Sequence, residues 1–139
     1  MVRASYPWQA GISHGRGAWP VALWVTVIKL VYCITKKAGL TDEAFFRYWE
    51  NIHGPIGARI PRLRKLVQSH RLTLPGDRYR SDYDGMAELW FEDLEALLVA
   101  RQSPEWKAST ADEANFIDHT KVAYFVSEER IILDEPKTK

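Results

Sequence analysis

The chain has 139 residues, of which 46% are hydrophobic, so it can bury one ordinary core but not two. Nineteen basic and eighteen acidic side chains give a formal net charge of +1, which supplies no overall field for nucleic acid or an anionic membrane surface. The single cysteine, Cys33, cannot form an internal disulfide and lies in an apolar run. We therefore expect a cytoplasmic protein of one domain, with no nucleic-acid or membrane partner.

Residues 1–26 differ in composition from the rest of the chain. They contain Trp8, Trp19 and Trp24 but almost no charge, and they match no regular element. A basic start and a small-residue cleavage site, as in a secretory signal, are both missing, and no run reaches the ~20 apolar residues of a membrane helix. We expect a flexible extension, or an upstream read-through of a gene whose natural start is Val27.

A strand and a helix begin the regular pattern. Residues 28–35 are rich in β-branched and aromatic side chains, which predicts a strand. Thr41 is a favourable N-cap, and Asp42 and Glu43 follow it in the first turn, near the positive end of the helix dipole. The sequence therefore predicts that a helix begins at this point.

The apolar residues of this first helix recur at spacings of four, three and four, which predicts one buried face. They are Phe45, Trp49, Ile52 and Ile56. Pro55 has no N–H group and disfavours helical geometry at the residue before it. We expect the helix to kink or restart at residues 53–55 and to continue over residues 56–63.

The remaining elements follow from alternating patterns, turn residues and caps. They are a strand over residues 65–74, a polar loop over 75–85, a strand over 85–91, a helix from the N-cap Asp93 to Gln102, a helical turn opened by Ser103 and Pro104, and a strand over 119–126. The order is strand, helix, strand, strand, helix, strand. It predicts an α+β, ferredoxin-like fold with a four-stranded antiparallel sheet over residues 27–133 and a short tail over 134–139.

Both faces of the first and last predicted strands are largely apolar. Helices can cover only one face of such a sheet, so the other face needs an apolar partner, most simply the same sheet of a second copy. We therefore expect a homodimer.

One segment of the chain, residues 39–55 (Gly-Leu-Thr-Asp-Glu-Ala-Phe-Phe-Arg-Tyr-Trp-Glu-Asn-Ile-His-Gly-Pro), resembles the signature of the EthD family. Later blocks of that family resemble residues 68–70, 84–91, 103–106 and 112–118 in the same order. The resemblance extends over roughly residues 28–133. It implies a ferredoxin-like protomer that pairs as a dimeric α+β barrel and has no built-in cofactor. The family and its relatives include proteins linked to ether degradation, lactone isomerases, and dehydratases or cyclases that act on polyketide-like aromatic compounds, and fold alone does not choose among them.

His53 is the first candidate for a catalytic residue, because it lies where Pro55 interrupts the helix. Histidine can accept and return a proton near neutral pH, although a purely structural role at the helix interruption is the alternative. In isomerases that resemble this fold, the histidine of the His-Gly-Pro segment is the acid/base candidate. Their cysteine partners have no counterpart here, since Cys33 stands at a different position.

Glu88 is the second candidate, because an ionised carboxylate within Met-Ala-Glu-Leu-Trp needs a partner if it is buried. His70 is the natural partner, since the strands that carry the two residues form a hairpin. The pair would relay protons or would fix the sheet register or the dimer interface.

Aromatic and polar side chains supply candidates for substrate binding. They are Tyr48, Trp49, Trp90, Trp106, Phe116 and His119. Such aromatic residues are mostly expected in the core, with a minority in contact with a ligand. His119 and the neighbouring Asp118 do not make a metal site, and we predict none. A run of arginines between residues 59 and 80 could attract an acidic substrate, but a solvated face offset by nearby carboxylates is the simpler interpretation.

Three functional hypotheses follow. The first is an enzyme without a cofactor, in which His53, helped by Glu88 or His70, moves a proton on a small hydrophobic carbonyl or phenolic compound in a dehydration, cyclisation or isomerisation. The second is an oxidoreductase component or a cofactor-free monooxygenase. The third is a dimeric protein that binds such a compound without catalysis.

Overall fold

The computed structural model describes residues 27–136 and residue 138, so the extension predicted for residues 1–26 lies outside the described part. The elements are β1 (Ile28–Ile34), α1 (Asp42–Tyr48), a π-helical turn (Trp49–His53), α2 (Gly54–Gly57), β2 (Leu63–His70), β3 (Gly85–Phe91), α3 (Leu94–Arg101), α4 (Pro104–Asp112), a 3₁₀ turn (Glu113–Asn115) and β4 (Ala123–Glu128). The four strands form one antiparallel sheet in the order β2-β3-β1-β4. The predicted α+β, ferredoxin-like fold is confirmed.

Helix starts follow the capping residues that the sequence offers. Thr41 Oγ1 accepts a hydrogen bond from the Ala44 N–H at 3.1 Å, and Asp93 Oδ1 accepts one from the Ala96 N–H at 2.8 Å. Ser103 Oγ caps α4 in the same way. Each cap satisfies a backbone donor that has no partner within its own helix.

The first helical segment does not break at Pro55 but passes through the π-helical turn. There the Gly54 N–H donates to the carbonyl of Trp49, five residues earlier, and Pro55 has no N–H to donate. The wider turn rotates the following side chains around the helix axis. Ile52 is therefore 49% exposed, and His53 occupies the inward position instead. The predicted single face of Phe45, Trp49, Ile52 and Ile56 is therefore wrong at Ile52, whereas Ile56 is half-buried.

Three boundaries differ from the sequence prediction by four residues or more. The helix ends at Gly57 and does not continue to residue 63. β2 ends at His70, which pairs with the first residue of β3, Gly85, so the residues beyond it have no partner strand. Leu72 and Leu74 are consequently exposed. The chain enters β4 only at Ala123, because Asp118 Oδ1 accepts hydrogen bonds from Thr120 and holds a turn before the strand.

The helices cover one face of the sheet, which we call the helix side. The core lies between this face and the helices, and its largest fully buried side chains are Trp49, Phe45, Phe91, Phe116, Ile34 and Leu97. The opposite face, which we call the open side, carries the alternate residues of each strand. On the open side the paired register places Val31 between Glu88 of β3 and Phe125 of β4.

Candidate active site

A cavity of about 390 Å³ lies between the helix side of the sheet and the segments that follow α1 and α3. Its apolar walls come mainly from Leu30, Trp49, Ile60, Leu66, Ala87, Leu89, Trp106 and Tyr124. Its polar lining residues are Tyr32, His53, Gln68, Arg101, Ser109, Thr110 and Glu113. A mostly apolar cavity with a few placed polar groups is typical of a site for a small organic molecule.

His53 is held in this cavity by a carboxylate that is distant in sequence. His53 Nδ1 lies 2.8 Å from Asp112 Oδ2, and both side chains are nearly buried, with 13% and 12% of their surface exposed. The other oxygen, Oδ1, accepts hydrogen bonds from Tyr48 Oη at 2.6 Å and from Asn115 Nδ2 at 3.0 Å. Since Nδ1 is occupied by Asp112, Nε2 is the ring nitrogen that remains for a bound molecule.

These contacts keep Asp112 in its ionised form. Burial raises the pKa of Asp112, but the hydrogen bonds from Tyr48, His53 and Asn115 together outweigh burial and hold the pKa below its ordinary value of 3.8. The hydrogen bond to Asp112 in turn raises the pKa of Tyr48. Asp112 is therefore an acceptor from His53 Nδ1–H at neutral pH, which selects the tautomer in which Nε2 carries a lone pair.

Phe116 and Tyr48 support this arrangement from outside the cavity. The Phe116 ring is fully buried, and its centroid lies 4.7 Å from that of His53 and 5.2 Å from that of Tyr48. Neither residue lines the cavity. Both were predicted to bind substrate, and the structure instead places them where they orient His53 and Asp112.

A second carboxylate, Glu113, follows Asp112 directly and, unlike Asp112, lines the cavity itself. Glu113 Oε2 accepts a hydrogen bond from Tyr32 Oη at 3.3 Å and lies 2.9 Å from His119 Nε2. Burial, and then the charge of Glu113, raise the pKa of Tyr32, so its phenol is a proton donor at neutral pH. His119, one of the predicted substrate-binding residues, contacts Glu113 and does not line the cavity.

His70 acts on the site through Gln68. Gln68 Nε2 donates to the carbonyl of Trp49 at 2.8 Å, so its Oε1 faces His70 Nε2 at 3.0 Å and must accept a hydrogen from it. The His70 ring stacks between Phe46 and Trp49, with centroid distances of 4.8 Å to each. His70 therefore helps to hold the π-helical turn that carries His53.

The predicted pairing of His70 with Glu88 is wrong. In the β2–β3 register His70 lies opposite Gly85 on the helix side, whereas Glu88 lies opposite Val67 on the open side. Glu88 instead bonds to Lys29 at 2.8 Å. The strand patterns of β2 and β3 are each consistent with either orientation, and only their packing fixes which residues share a face.

Trp90 lies on the same open side, outside the cavity. Its indole N–H donates to Glu129 Oε1 at 3.0 Å, and Lys65 Nζ lies 4.7 Å from its ring centroid. Trp49 and Trp106, two of the residues predicted to contact a substrate, by contrast line the cavity. Five lining or supporting residues were not selected from the sequence: Tyr32, Gln68, Arg101, Asp112 and Glu113. The adjacent carboxylates Asp112 and Glu113, at the end of α4, were the visible signal.

Within the described part of the chain, no helix is both long enough and apolar enough to cross a bilayer. Nor do residues 27–136 bring together three or more His, Cys, Asp or Glu side chains in a group that could hold a metal ion. The cytoplasmic location and the absence of a metal or cofactor stay predictions.

A family model described as the EthD domain matches residues 37–120, more than half of the chain. No curated protein matches the chain. An EthD family protein from Bacillus halodurans is similar in structure, with 26% sequence identity and a TM-score of 0.64, and the match covers 75% of this chain and 99% of that one.

Two solved structures with an enzymatic description also match. A hydroxynitrile lyase from Passiflora edulis has 13% identity and a TM-score of 0.62, with 78% of this chain and 98% of that chain covered. The cofactor-independent oxygenase SnoaB from Streptomyces nogalater has 15% identity and a TM-score of 0.55, with 79% and 99% covered. Other matched structures are described as dimeric. At such identities these likenesses show the fold alone.

Proposed function

Because the chain belongs to the EthD family, we propose that it is a small-molecule enzyme that moves a proton without a cofactor. Its substrate is a small hydrophobic carbonyl or phenolic compound, and its reaction is a dehydration, cyclisation or isomerisation. The observation that supports this proposal most is the hydrogen bond between His53 and Asp112 at the wall of an apolar cavity.

The proposed chemistry uses His53 as acid and base. In the tautomer that Asp112 selects, Nε2 takes a proton from the substrate, and the Asp112 carboxylate stabilises the imidazolium that forms. The same proton then passes from Nε2 to the oxygen that leaves, or to the carbon that becomes protonated. In this scheme Tyr32, whose phenol keeps its proton at neutral pH, exchanges its 3.3 Å hydrogen bond to Glu113 for one to a substrate oxygen.

The cavity walls favour this chemistry over reaction in water. Trp49 is only 2% exposed and lies beside the aliphatic side chains of the sheet. A low-polarity enclosure strengthens the interactions of His53 and Asp112 with a bound molecule, because little solvent competes for them.

Proton transfer can be measured before the substrate is known. We expect the protein to catalyse hydrogen–deuterium exchange at the carbon next to the carbonyl in a panel of hydroxylated aromatic ketones. NMR in deuterated water measures the exchange rate, and product analysis identifies any further reaction. His53→Gln should reduce the exchange rate by a factor of 10²–10⁴, as for loss of a general acid or base. The matched control is Glu88→Gln, because Glu88 lies on the open side of the sheet. Equal rates for the wild type and His53→Gln would refute the role of His53.

Two alternatives give different results in the same experiment. The second candidate is an oxidoreductase component or a cofactor-free monooxygenase, the activity described for one protein of the same fold, and that reaction would consume dioxygen. Binding without turnover is the third candidate, in which Trp106→Ala weakens affinity and His53→Gln does not.

We also propose that the protein forms a homodimer through the open side of the sheet. Phe125, on that side, is 54% exposed, and two matched structures of the same fold are described as dimeric. Phe125→Asp should convert the dimer to a monomer in analytical ultracentrifugation. Tyr79→Asp is the control, since Tyr79 is 89% exposed in the loop between β2 and β3. A wild-type protein that sediments as a monomer at micromolar concentration would contradict this proposal.

A further inference from the structure

Arg101 is the cationic group that lines the cavity at the end of α3. Its guanidinium carbon lies 5.9 Å from the ring centroid of Trp106 and 5.6 Å from that of Tyr124, and both rings also line the cavity. Over residues 27–136, none of the ion pairs involves Arg101. By contrast, Arg71 contacts both Asp42 and Asp84.

The carboxylate in the cavity and the one beside it, Glu113 and Asp112, are each contacted by other donors. Asp112 accepts from Tyr48, His53 and Asn115, and Glu113 accepts from Tyr32 and contacts His119. Arginine stays charged at every physiological pH. A half-buried guanidinium at an apolar cavity is favourable when an anion from outside the chain completes its hydrogen bonds.

We propose that the substrate carries a carboxylate that binds Arg101, while its hydrophobic ring packs against Trp106 and Tyr124. This inference rests on the proposed function and narrows its substrate class to organic acids. The planar fork of arginine can donate two parallel hydrogen bonds to one carboxylate. The Trp106 and Tyr124 rings, at 5.9 and 5.6 Å, attract the guanidinium to this wall of the cavity. A substrate anchored in this way presents another part of its ring to His53, which lines the same cavity.

A carboxylate fits this place better than a phosphate. Phosphate sites generally combine several cations or a set of backbone N–H groups, because three oxygens need donors. Arg101 is the sole Arg or Lys among the described residues that line the cavity, and one guanidinium matches the two oxygens of a carboxylate.

The test compares ligands that differ only in the charged group. Naphthoate and naphthamide have the same ring and nearly the same shape, and their binding can be followed by calorimetry and by quenching of tryptophan fluorescence. We expect the wild type to bind naphthoate roughly tenfold or more tightly than naphthamide. Arg101→Met, which keeps an apolar stem without charge, should remove this preference, and Arg101→Lys should retain part of it. Thermal melts of both variants establish that they fold.

Each outcome decides the inference. Equal affinities of the wild type for the two ligands, or a preference that survives in Arg101→Met, overturns it. Tighter binding of naphthyl phosphate than of naphthoate overturns the choice of carboxylate. His53→Gln should keep the full preference for naphthoate over naphthamide. If this variant loses proton exchange but keeps that preference, the carboxylate site at Arg101 is independent of the catalytic role of His53. If neither ligand binds, the cavity is not a site for aromatic acids and this inference is wrong, whereas deuterium exchange in neutral ketones still tests the proposed function.

Discussion

Gly85 provides the sharpest test of how the site is built. A Cβ atom at this position would lie 2.7 Å from the backbone oxygen of Ser69 and 2.7 Å from Cη2 of Trp49, where ordinary contacts begin at 3.4 Å. Cζ3 of Trp49 would lie closer still, so the Trp49 ring would have to retreat by more than about 0.7 Å and the β2 backbone by roughly 0.7 Å. Gly85→Ala thus tests whether the buried Trp49 is packed as the structure shows.

The expected cost follows from what can move. Trp49 is 2% exposed, and its ring packs against Phe45 and His70, so it has little free space. The oxygen of Ser69 is backbone in β2 and cannot withdraw without distorting the pairing with β3. Overpacking of this kind costs about 1–3 kcal/mol, and we expect Gly85→Ala to fall in the upper half of that range.

Urea unfolding followed by circular dichroism measures this difference directly. Gly57→Ala is the matched control, because a Cβ at Gly57 would meet Leu66 at 3.4 Å and Ser109 at 3.7 Å, which are ordinary contacts, within α2. Alanine there should leave stability unchanged or raise it by up to ~1 kcal/mol. A loss below about 0.5 kcal/mol for Gly85→Ala, or an equal loss for both variants, would refute the packing of Trp49 against β3.

Three further predictions concern the site and its surroundings. Because the pKa of Asp112 is lowered on folding, its contribution to stability is present above its ordinary pKa of 3.8 and is lost as pH falls through the lower folded value. The difference in unfolding free energy between wild type and Asp112→Asn should therefore shrink as pH falls below about 4, and a difference that is the same at about pH 5 and about pH 2 would contradict this reasoning. Gln68→Leu leaves the Trp49 carbonyl and His70 without their hydrogen-bond partner, so it should lower the free energy of unfolding by about 1–3 kcal/mol in urea titration. An unchanged free energy of unfolding would show that these two hydrogen bonds do not stabilise the site. Glu88→Gln should leave the affinity of a cavity ligand within twofold in calorimetry, whereas a tenfold loss would show that the open side communicates with the cavity.

The sequence alone predicted the local features of this protein well. Thr41, Asp93 and Ser103 begin helices because a cap needs only a side chain and the next three residues, all close in the chain. The predicted bounds of β3 agree with the structure for the same reason, because Gly85 and a polar turn limit the segment at its two ends. The fold class followed from the order of elements, and the EthD resemblance from contiguous blocks.

The candidate site depended on contacts that no local pattern contains. His53 was selected from its position before Gly54 and Pro55, but the π-helical turn that points it inward was not predictable from the spacing of apolar residues. Asp112, which orients it, is 59 residues away in the chain. The pairing of Glu88 with Lys29 likewise follows from which face of β3 meets the helices.

What the sequence by itself determined is therefore the set of strands, caps and turns, and with them the ferredoxin-like order. What only the tertiary structure decided is which side chains share an enclosed space: His53 with Asp112, Tyr32 with Glu113, and Arg101 between two aromatic rings. The physical reason is that secondary structure is governed by interactions over a few residues, whereas a site is formed by side chains from separate elements whose faces and register are fixed only when the core packs.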